Sequence, residues 1–323
     1  MDIIKPYVPK NFGKEYCEIN GHGQYPMFMA VALDAKPCFD DWVDIKRYEE
    51  FLNICKGYNL VVIPDVLFID SKKDKNDVVG GKNITTTFAE GRRFDKNAKH
   101  GRVHVFVSKS KDIAIQAKKF GWYSVVTNKR SINKPFVDHL RFGKALGFPD
   151  CCIDFFSKYN NWHLYSHPYE TFKNTQIIKD KATGSYYCNN FLMDNAYFFI
   201  HHIPCSYRCK NTIELAKKVE EKIDEVEPDY VKKTIEILKK PLLVFGERNF
   251  IIFDGKIEGS WLDYSNCQYI SNPARPEEAV DFLDFIKKGN KVVVEKNRLI
   301  IMKNDLVLGE INKKEEWFVI DFD

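Results

Sequence analysis

The chain has 323 residues, of which 44% are hydrophobic, 14% aromatic and 29% charged. This composition supports a sizeable core and excludes wholesale disorder. The chain contains no run of about eighteen apolar residues, which excludes a transmembrane helix, and its start lacks the apolar stretch and cleavage site of a secretory signal. We therefore expect a cytoplasmic protein without a membrane partner.

The net charge of +4 is unevenly distributed along the chain. Residues 71–150 carry 18 Lys and Arg against 7 Asp and Glu. A basic segment of this kind is typical of proteins that bind RNA or another polyanion. The candidate phosphate contacts in this segment are Arg92, Arg93, Lys96 and Lys99. A solvated lysine-rich surface would give the same charge pattern, so this alternative stays open.

Residues 1–133 predict an α/β domain. The apolar run 25–35 predicts a strand, and 44–58 has the spacing of an amphipathic helix. Residues 59–70 predict two short strands or one bent strand, because a proline interrupts them. Residues 102–128 then alternate strand, helix and strand, which predicts a βαβ unit with parallel strands and a right-handed crossover.

Residues 134–240 predict a helical centre that carries the clustered cysteines. Its helices are expected over 134–147, 149–162, 185–202, 204–226 and 228–240. Three of them begin at a proline, the residue that is favoured at the first helical position. From 241 to 323 the hydrophobic period changes to two, apart from one helix at 275–289. This change predicts a small α+β domain that is mostly antiparallel.

Nine cysteines occur in the chain. Disulfides are disfavoured in a cytoplasmic protein, so clustered cysteines indicate metal binding or catalysis. Cys151 and Cys152 stand in the first turn of one predicted helix, and Cys205 and Cys209 at the start of another. Helix N-termini stabilise thiolates through free N–H groups and the helix dipole. We therefore predict that these four thiols converge in one metal site.

The choice of metal depends on the adjacent pair Cys151 and Cys152. Neighbouring side chains on a helix point about 100° apart, which suits one tetrahedral ion poorly. An iron–sulfur cluster spreads its thiolate ligands over several irons and tolerates this divergence better. We therefore favour an iron–sulfur cluster, with zinc as the alternative because the C-x-x-x-C spacing of Cys205 and Cys209 suits zinc. Additional candidate ligands are Cys188, His201 and His202.

Four polar residues are candidates for the surroundings of the site. A helix over 189–202 would place Asn190 and Asp194 on one stripe, which faces either a substrate at the cysteines or solvent. Ser206 is a candidate hydrogen-bond donor to a sulfur, and Arg208 is a candidate partner of thiolates or of an anionic substrate, or one half of a surface ion pair. Common nucleotide-binding and hydrolase motifs do not occur in the sequence, so we assign no catalytic residue.

The stretches GFPDCCIDFF (147–156) and HIPCSYRCKNT (202–212) resemble the signature of an uncharacterised, mainly archaeal family. That signature combines glycine, an aromatic residue, proline and two adjacent cysteines with a later His-x-Pro-Cys-Ser-x-x-Cys. The matching residues are Gly147, Pro149, Cys151, Cys152, Phe155, His202, Pro204, Cys205, Ser206 and Cys209. The resemblance covers residues 140–240 and implies that the two stretches form one unit, but it implies no activity.

These patterns lead to three hypotheses about function. The leading one is a cytoplasmic iron–sulfur protein that acts in sulfur transfer, redox chemistry or RNA modification. The second is a nucleic-acid-binding module with a structural zinc ion and no catalysis. The third is a thiol redox enzyme without metal, in which Cys151 and Cys152 form a redox pair or a vicinal disulfide. Ordinary buried cysteines remain the simplest alternative to all three.

Overall fold

The computed structural model describes residues 2–70, 89–121, 125–127, 130–132, 138–159, 167–175, 177–178, 181–246, 249–270 and 280–323. The fold is mixed α/β, and the chain divides into two compact units. The first unit comprises Tyr7–Ser157 and Lys217–Tyr230. The second unit comprises Met1–Pro6, Lys158–Ala216 and Val231–Asp323. The predicted three-part division of the chain, at residues 133 and 240, stays a prediction.

The first unit contains a four-stranded sheet. Its strands are β1 (Cys38–Asp44), β2 (Val61–Asp70), β3 (Ala89–Arg93) and β4 (Arg102–Ser108). They follow the order β1-β4-β2-β3, and every neighbouring pair is antiparallel. The predicted parallel βαβ unit is therefore wrong: β5 (Val125–Thr127) forms an antiparallel pair with β6 (Arg130–Ile132) instead of joining β4. Hydrophobic alternation shows that a segment is extended, but it does not identify the strand with which it pairs.

Helices accompany this sheet along the chain. They are α1 (Lys14–Asn20), α2 (Tyr25–Ala32), α3 (Tyr48–Gly57), α4 (Lys111–Phe120), α5 (His139–Ala145) and α6 (Asp150–Tyr159). The amphipathic helix predicted at 44–58 is confirmed by α3, and the helix predicted within 102–128 is confirmed by α4. The strand predicted at 25–35 is wrong, because α2 occupies this run and all eight of its residues are buried. A helix buried on every side has no polar face, so its sequence shows no 3.6-residue period.

His104, on the central strand β4, is fully buried between two carboxylates. Its Nδ1 lies 3.3 Å from Asp65 Oδ2, and its Nε2 lies 3.2 Å from Asp40 Oδ2. Burial lowers the pKa of this imidazole, but the hydrogen bonds and charges of Asp40 and Asp65 outweigh burial and raise the pKa above its ordinary value. Folding thus shifts the equilibrium of this ring towards the charged imidazolium, which can donate to both carboxylates.

We expect this arrangement to make the free energy of unfolding depend on pH. A raised folded pKa gives stability that is complete below the pKa of an unfolded histidine, about 6.5, and is lost as the pH rises through the folded value. His104→Gln should remove this dependence and cost about 3–5 kcal/mol at low pH, because two carboxylates lose their buried cation. Urea unfolding of both proteins over a pH series measures the effect.

A buried aspartate in the same unit also makes the free energy of unfolding depend on pH, so the wild type must be compared with the variant. Burial raises the pKa of Asp41 to about 7, against the hydrogen bond from Tyr16. The contribution of Asp41 to the free energy of unfolding also falls as the pH rises through its folded pKa. We expect this fall to be the same in the wild type and in His104→Gln. The difference between the two pH profiles therefore isolates His104, and parallel profiles would contradict the prediction.

The second unit is built on a nine-stranded sheet. Its strands are β7 (Ile177–Ile178), β8 (Lys181–Gly184), β9 (Leu242–Gly246), β10 (Asn249–Glu258), β11 (Trp261–Ile270), β12 (Lys291–Val294), β13 (Arg298–Lys303), β14 (Leu306–Asn312) and β15 (Phe318–Phe322). Their order is β14-β13-β12-β11-β10-β9-β15-β8-β7. The pairs from β9 to β14 are antiparallel, as the period of two predicts, whereas β15 runs parallel to β8.

The remaining helices are α7 (His167–Lys173), α8 (Lys210–Asp224), α9 (Pro228–Leu238) and α10 (Val280–Lys288). Ile286 of α10 packs into a hydrophobic core cluster of the second unit with Leu262, Leu299 and Ile301 of the sheet. The first part of the helix predicted at 275–289 lies outside the described residues. Among the described helices, none combines the length and the apolar character that crossing a bilayer requires.

The helix predicted over 185–202 is wrong. This stretch contains two short 3₁₀ turns, Tyr186–Cys188 and Met193–Asn195, and Ala196 then takes the left-handed conformation with φ 62°. The side chain of Asn189 donates to the carbonyl of Leu238 at 2.9 Å and accepts from the N–H of Phe191 at 3.2 Å. Asparagine side chains that bond to nearby backbone groups compete with helix formation. The stretch is therefore held by tertiary contacts.

Candidate metal centre

The first cysteine pair follows a sharp turn. Gly147 has φ 75°, and a Cβ atom at this position would lie 2.5 Å from Cδ of Pro37. Glycine is required here by both the left-handed backbone and the close approach. The carbonyl of Pro149 accepts hydrogen bonds from the N–H groups of Cys152 and Ile153, at 2.9 and 3.0 Å. Cys151 and Cys152 accordingly lie in the first turn of α6, as the sequence predicts.

The second cysteine pair lies in a turn ahead of a helix rather than inside one. The helix predicted from residue 204 begins only at Lys210, as α8. The N–H of Cys209 donates to the carbonyl of Ser206 at 3.0 Å, and the carbonyl of Cys209 accepts from Ile213 at 3.0 Å. Cys209 is thus the N-cap residue of α8, where the positive end of the helix dipole favours a thiolate.

Side chains from the segment of α7 hold this turn in place. Thr171 donates to the carbonyl of Pro204 at 2.9 Å, and the amide of Asn174 donates to the carbonyl of Cys205 at 3.1 Å. The hydroxyl of Thr175 accepts from the N–H of Tyr207 at 2.9 Å. These bonds satisfy backbone groups of the turn that a helix would have satisfied internally. Our sequence reasoning missed these three residues, because no spacing rule links them to a turn some thirty positions later.

The four predicted thiols converge. The sulfur atoms of Cys151, Cys152, Cys205 and Cys209 all lie within 4.8 Å of one another. Cys152 and Cys209 are buried, whereas Cys151 and Cys205 are half-buried. The group has the composition and the proximity required to hold a metal ion, and the predicted convergence is confirmed.

The spacing of the sulfurs bears on the kind of metal that fits. Zinc–sulfur bonds of about 2.3 Å in a tetrahedron place the sulfurs about 3.8 Å apart. The sulfurs of Cys151 and Cys152 are 3.9 Å apart, so the divergence expected of adjacent helical residues does not extend to their sulfur atoms. The Cα–Cβ bonds point apart, but staggered rotamers of χ1 allow the two sulfurs to approach. The adjacent pair therefore does not exclude one tetrahedral ion.

The three additional candidate ligands lie outside this group of four. Cys188 is fully buried, and its thiol donates to the carbonyl of Cys209 at 3.9 Å. Burial, together with the neighbouring Cys209 and Cys205, raises the pKa of this thiol well above its ordinary value and keeps it neutral. His202 is buried with Nε2 3.0 Å from the hydroxyl of Thr212, in the first turn of α8. His201 is half-buried, with its ring 5.7 Å from that of Phe198.

The predicted polar stripe does not exist, because its helix is absent. Asn190 donates to the carbonyl of His202 at 3.3 Å, and Asp194 is exposed. Both line a small pocket together with side chains of α7. The Ser206 hydroxyl accepts from the N–H of Arg208 at 3.1 Å. The guanidinium of Arg208 is engaged with the carbonyl of Thr183 at 2.6 Å and the carboxylate of Asp323 at 3.2 Å, which matches the surface ion-pair alternative.

The basic segment is only partly described. Arg92 and Arg93 belong to β3, and their side chains lie outside the described residues, as do residues 71–88. Lys96 and Lys99 are exposed in the turn that follows β3. Binding of RNA or another polyanion through this segment stays a prediction.

Comparison with known proteins adds one finding. Residues 121–240 match the model of a family described as a protein of unknown function (DUF483). No curated protein and no solved structure shows a significant match to the chain. The matched range contains both cysteine stretches, in agreement with the resemblance to an uncharacterised family, and it assigns no activity to them.

Proposed function

We propose that the four cysteines bind a single Zn²⁺ ion and that this ion has a structural role. The proposal is carried by one observation, the four sulfur atoms within 4.8 Å of one another. The sulfur–sulfur edge of a zinc–thiolate tetrahedron, about 3.8 Å, lies within this limit. A four-iron cluster places its irons at separate corners and holds its thiolates farther apart than a single ion does.

The donor set supports a structural rather than a catalytic ion. Catalytic zinc sites keep one position for water, whereas four cysteine thiolates complete the tetrahedron. The surrounding chain also supports this role, because 185–209 contains only two 3₁₀ turns as regular structure. A metal that fixes such a segment contributes its binding free energy to folding.

An iron–sulfur cluster is the second candidate. It is favoured by the half-burial of Cys151 and Cys205, one thiol from each pair. Half-buried side chains can change rotamer and widen the site for a larger group, and partial exposure of a cluster tunes its redox potential. The hypothesis of sulfur transfer, redox chemistry or RNA modification was built on this second candidate.

Metal analysis of anaerobically purified protein separates the two. We expect a colourless protein with about one zinc per chain, and Co²⁺ exchanged into the site should give the absorption of tetrahedral thiolate coordination. The double variant Cys205→Ser, Cys209→Ser should lose the metal. Cys267→Ser is the matched control, because Cys267 is half-buried like Cys205 but lies outside the group of four, and it should retain the metal.

Each other outcome has a defined meaning. A brown protein that contains iron and sulfide would show that the site holds an iron–sulfur cluster instead of zinc. A protein without metal whose Cys151 and Cys152 form a disulfide would support the redox pair, whose sulfurs are 3.9 Å apart. Equal metal content in the double variant and the Cys267 control would refute a metal site at these cysteines.

A further inference from the structure

One edge of the second unit has an unusual concentration of exposed apolar side chains. Phe285, Leu306 and Val307 are 41%, 72% and 57% exposed. They are three of the seven large hydrophobic side chains that are exposed in the described part of the chain. Leu306 and Val307 open the strand β14, and Phe285 lies on α10, which packs beside it. Clustered exposed apolar groups of this kind mark interaction surfaces.

This edge lacks the side chains that usually protect against strand pairing. β14 is the terminal strand of its sheet, and no described strand pairs with its outer side. Its sequence, LVLGEIN, contains no proline and no lysine. Its one charged side chain, Glu310, is engaged with Arg298 of β13 at 2.9 Å. Proteins normally blunt an exposed edge with such residues, because its free N–H and C=O groups otherwise recruit another strand. A bulge in the β13–β14 pairing near Met302 leaves residues 309–312 in regular register.

The regular part of the strand offers an apolar contact at its centre. A Cβ atom at Gly309 would lie 3.3 Å from Cγ of Phe285, so the absent side chain makes room for this ring above the strand. A strand added at the outer edge would lie about 4.8 Å away and would cover the exposed part of the ring. Burial of Phe285 would then give the pairing an apolar component beyond its backbone hydrogen bonds.

The charges at the two ends of β14 indicate which strand this edge recruits. Asp305 immediately precedes β14, and Lys313 and Lys314 immediately follow it. An antiparallel copy in the register that sets Asp305 beside Lys314 brings opposite charges together. The same register sets Lys303 beside Glu316, whereas a parallel copy would bring like charges together. We propose that β14 pairs antiparallel with β14 of a second copy of this chain and forms a two-fold symmetric dimer by continuing the sheet. This proposal does not depend on the metal site.

Light scattering during gel filtration, over a concentration series of the full chain, tests the dimer. We expect a reversible monomer–dimer equilibrium of modest affinity, because a single strand pair buries less than the ~1,200 Å² of stable interfaces. Leu306→Lys with Val307→Lys should raise the dimer dissociation constant roughly tenfold or more, since lysines on an edge strand oppose pairing. Val8→Lys is the matched control, because Val8 is 67% exposed in the first unit, and it should leave the equilibrium unchanged.

A charge swap tests the orientation of the strands. Asp305→Lys should weaken the dimer, and adding Lys314→Glu should restore it, because opposite charges meet again across the antiparallel pair. Far-UV circular dichroism verifies that each variant is folded. A wild-type chain that stays monomeric at every concentration would overturn the proposal, and so would a dimer that survives the double lysine variant. Charge-swap variants without effect would overturn the antiparallel arrangement.

Discussion

Replacing Cys209 with serine is expected to lower the free energy of unfolding by about 4–5 kcal/mol, because loss of a bound metal is one of the few mechanisms that give effects of this size. The expected cost comes from the metal and not from the helix, because serine is itself a favoured N-cap residue for α8. Denaturant unfolding of the wild type and the variant measures the difference. Residues 185–209 should lose hydrogen-exchange protection first, because without the metal this segment has few backbone hydrogen bonds of regular secondary structure.

The chelator experiment supplies the control for this prediction. Removing the metal from the wild type should reproduce the loss of stability, and the same chelator should have no further effect on Cys209→Ser. Cys267→Ser should remain as sensitive to the chelator as the wild type. A wild type whose stability does not change when its metal is removed would contradict a structural role, even if the metal itself binds.

The second large effect is expected at Glu227, which is fully buried in the first unit. One of its oxygens accepts from the N–H groups of Lys10, Asn11 and Phe12 at 3.0, 2.5 and 2.8 Å, and the other accepts from the hydroxyl of Tyr7 at 2.7 Å. Glu227→Ala leaves these donors without their acceptor and should cost about 3–5 kcal/mol, the range for breaking a buried charged network.

A graded series gives this prediction a sharper test. Glu227→Gln keeps the oxygen that accepts from the three N–H groups, and the hydroxyl of Tyr7 can rotate to accept from the new amide, so its cost should be only about 1–2 kcal/mol. Glu225→Ala is the matched control, because Glu225 is exposed and paired with Lys222 on the surface. Its effect should stay within about 0.5 kcal/mol. Equal costs for the alanine and glutamine variants at Glu227 would refute the network.

Amphipathic helices were the most predictable elements of the fold. α3 and α4 each bury one face and expose the other, so hydrophobic residues recur in their sequences with a period of 3.6. The strands after residue 241 were predictable for the corresponding reason, a period of two. α2 was mispredicted because burial on every side erases the period, and 185–202 was mispredicted because asparagine side chains and a left-handed residue break a run that is rich in aromatic residues.

The local sequence pattern could not predict which distant segments of the chain pair or pack together. Nothing near Val125–Thr127 tells that β5 pairs with β6 instead of lying parallel to β4. Nothing around residue 227 tells that this one glutamate, among many on the surface, is buried under the backbone of residues 10–12. Both depend on chain segments that are distant in sequence, and loop closure between them leaves no periodic signal.

The sequence by itself determined that four cysteines near two proline-marked turns belong to one site, because clustered thiols in one chain have few other uses. Only the tertiary structure decided the distances among their sulfurs, on which the proposal of one tetrahedral ion rests. The physical reason is that a sulfur position depends on the χ1 rotamer and on the packing of the turn by Thr171, Asn174 and Thr175. Residue spacing along a helix specifies neither.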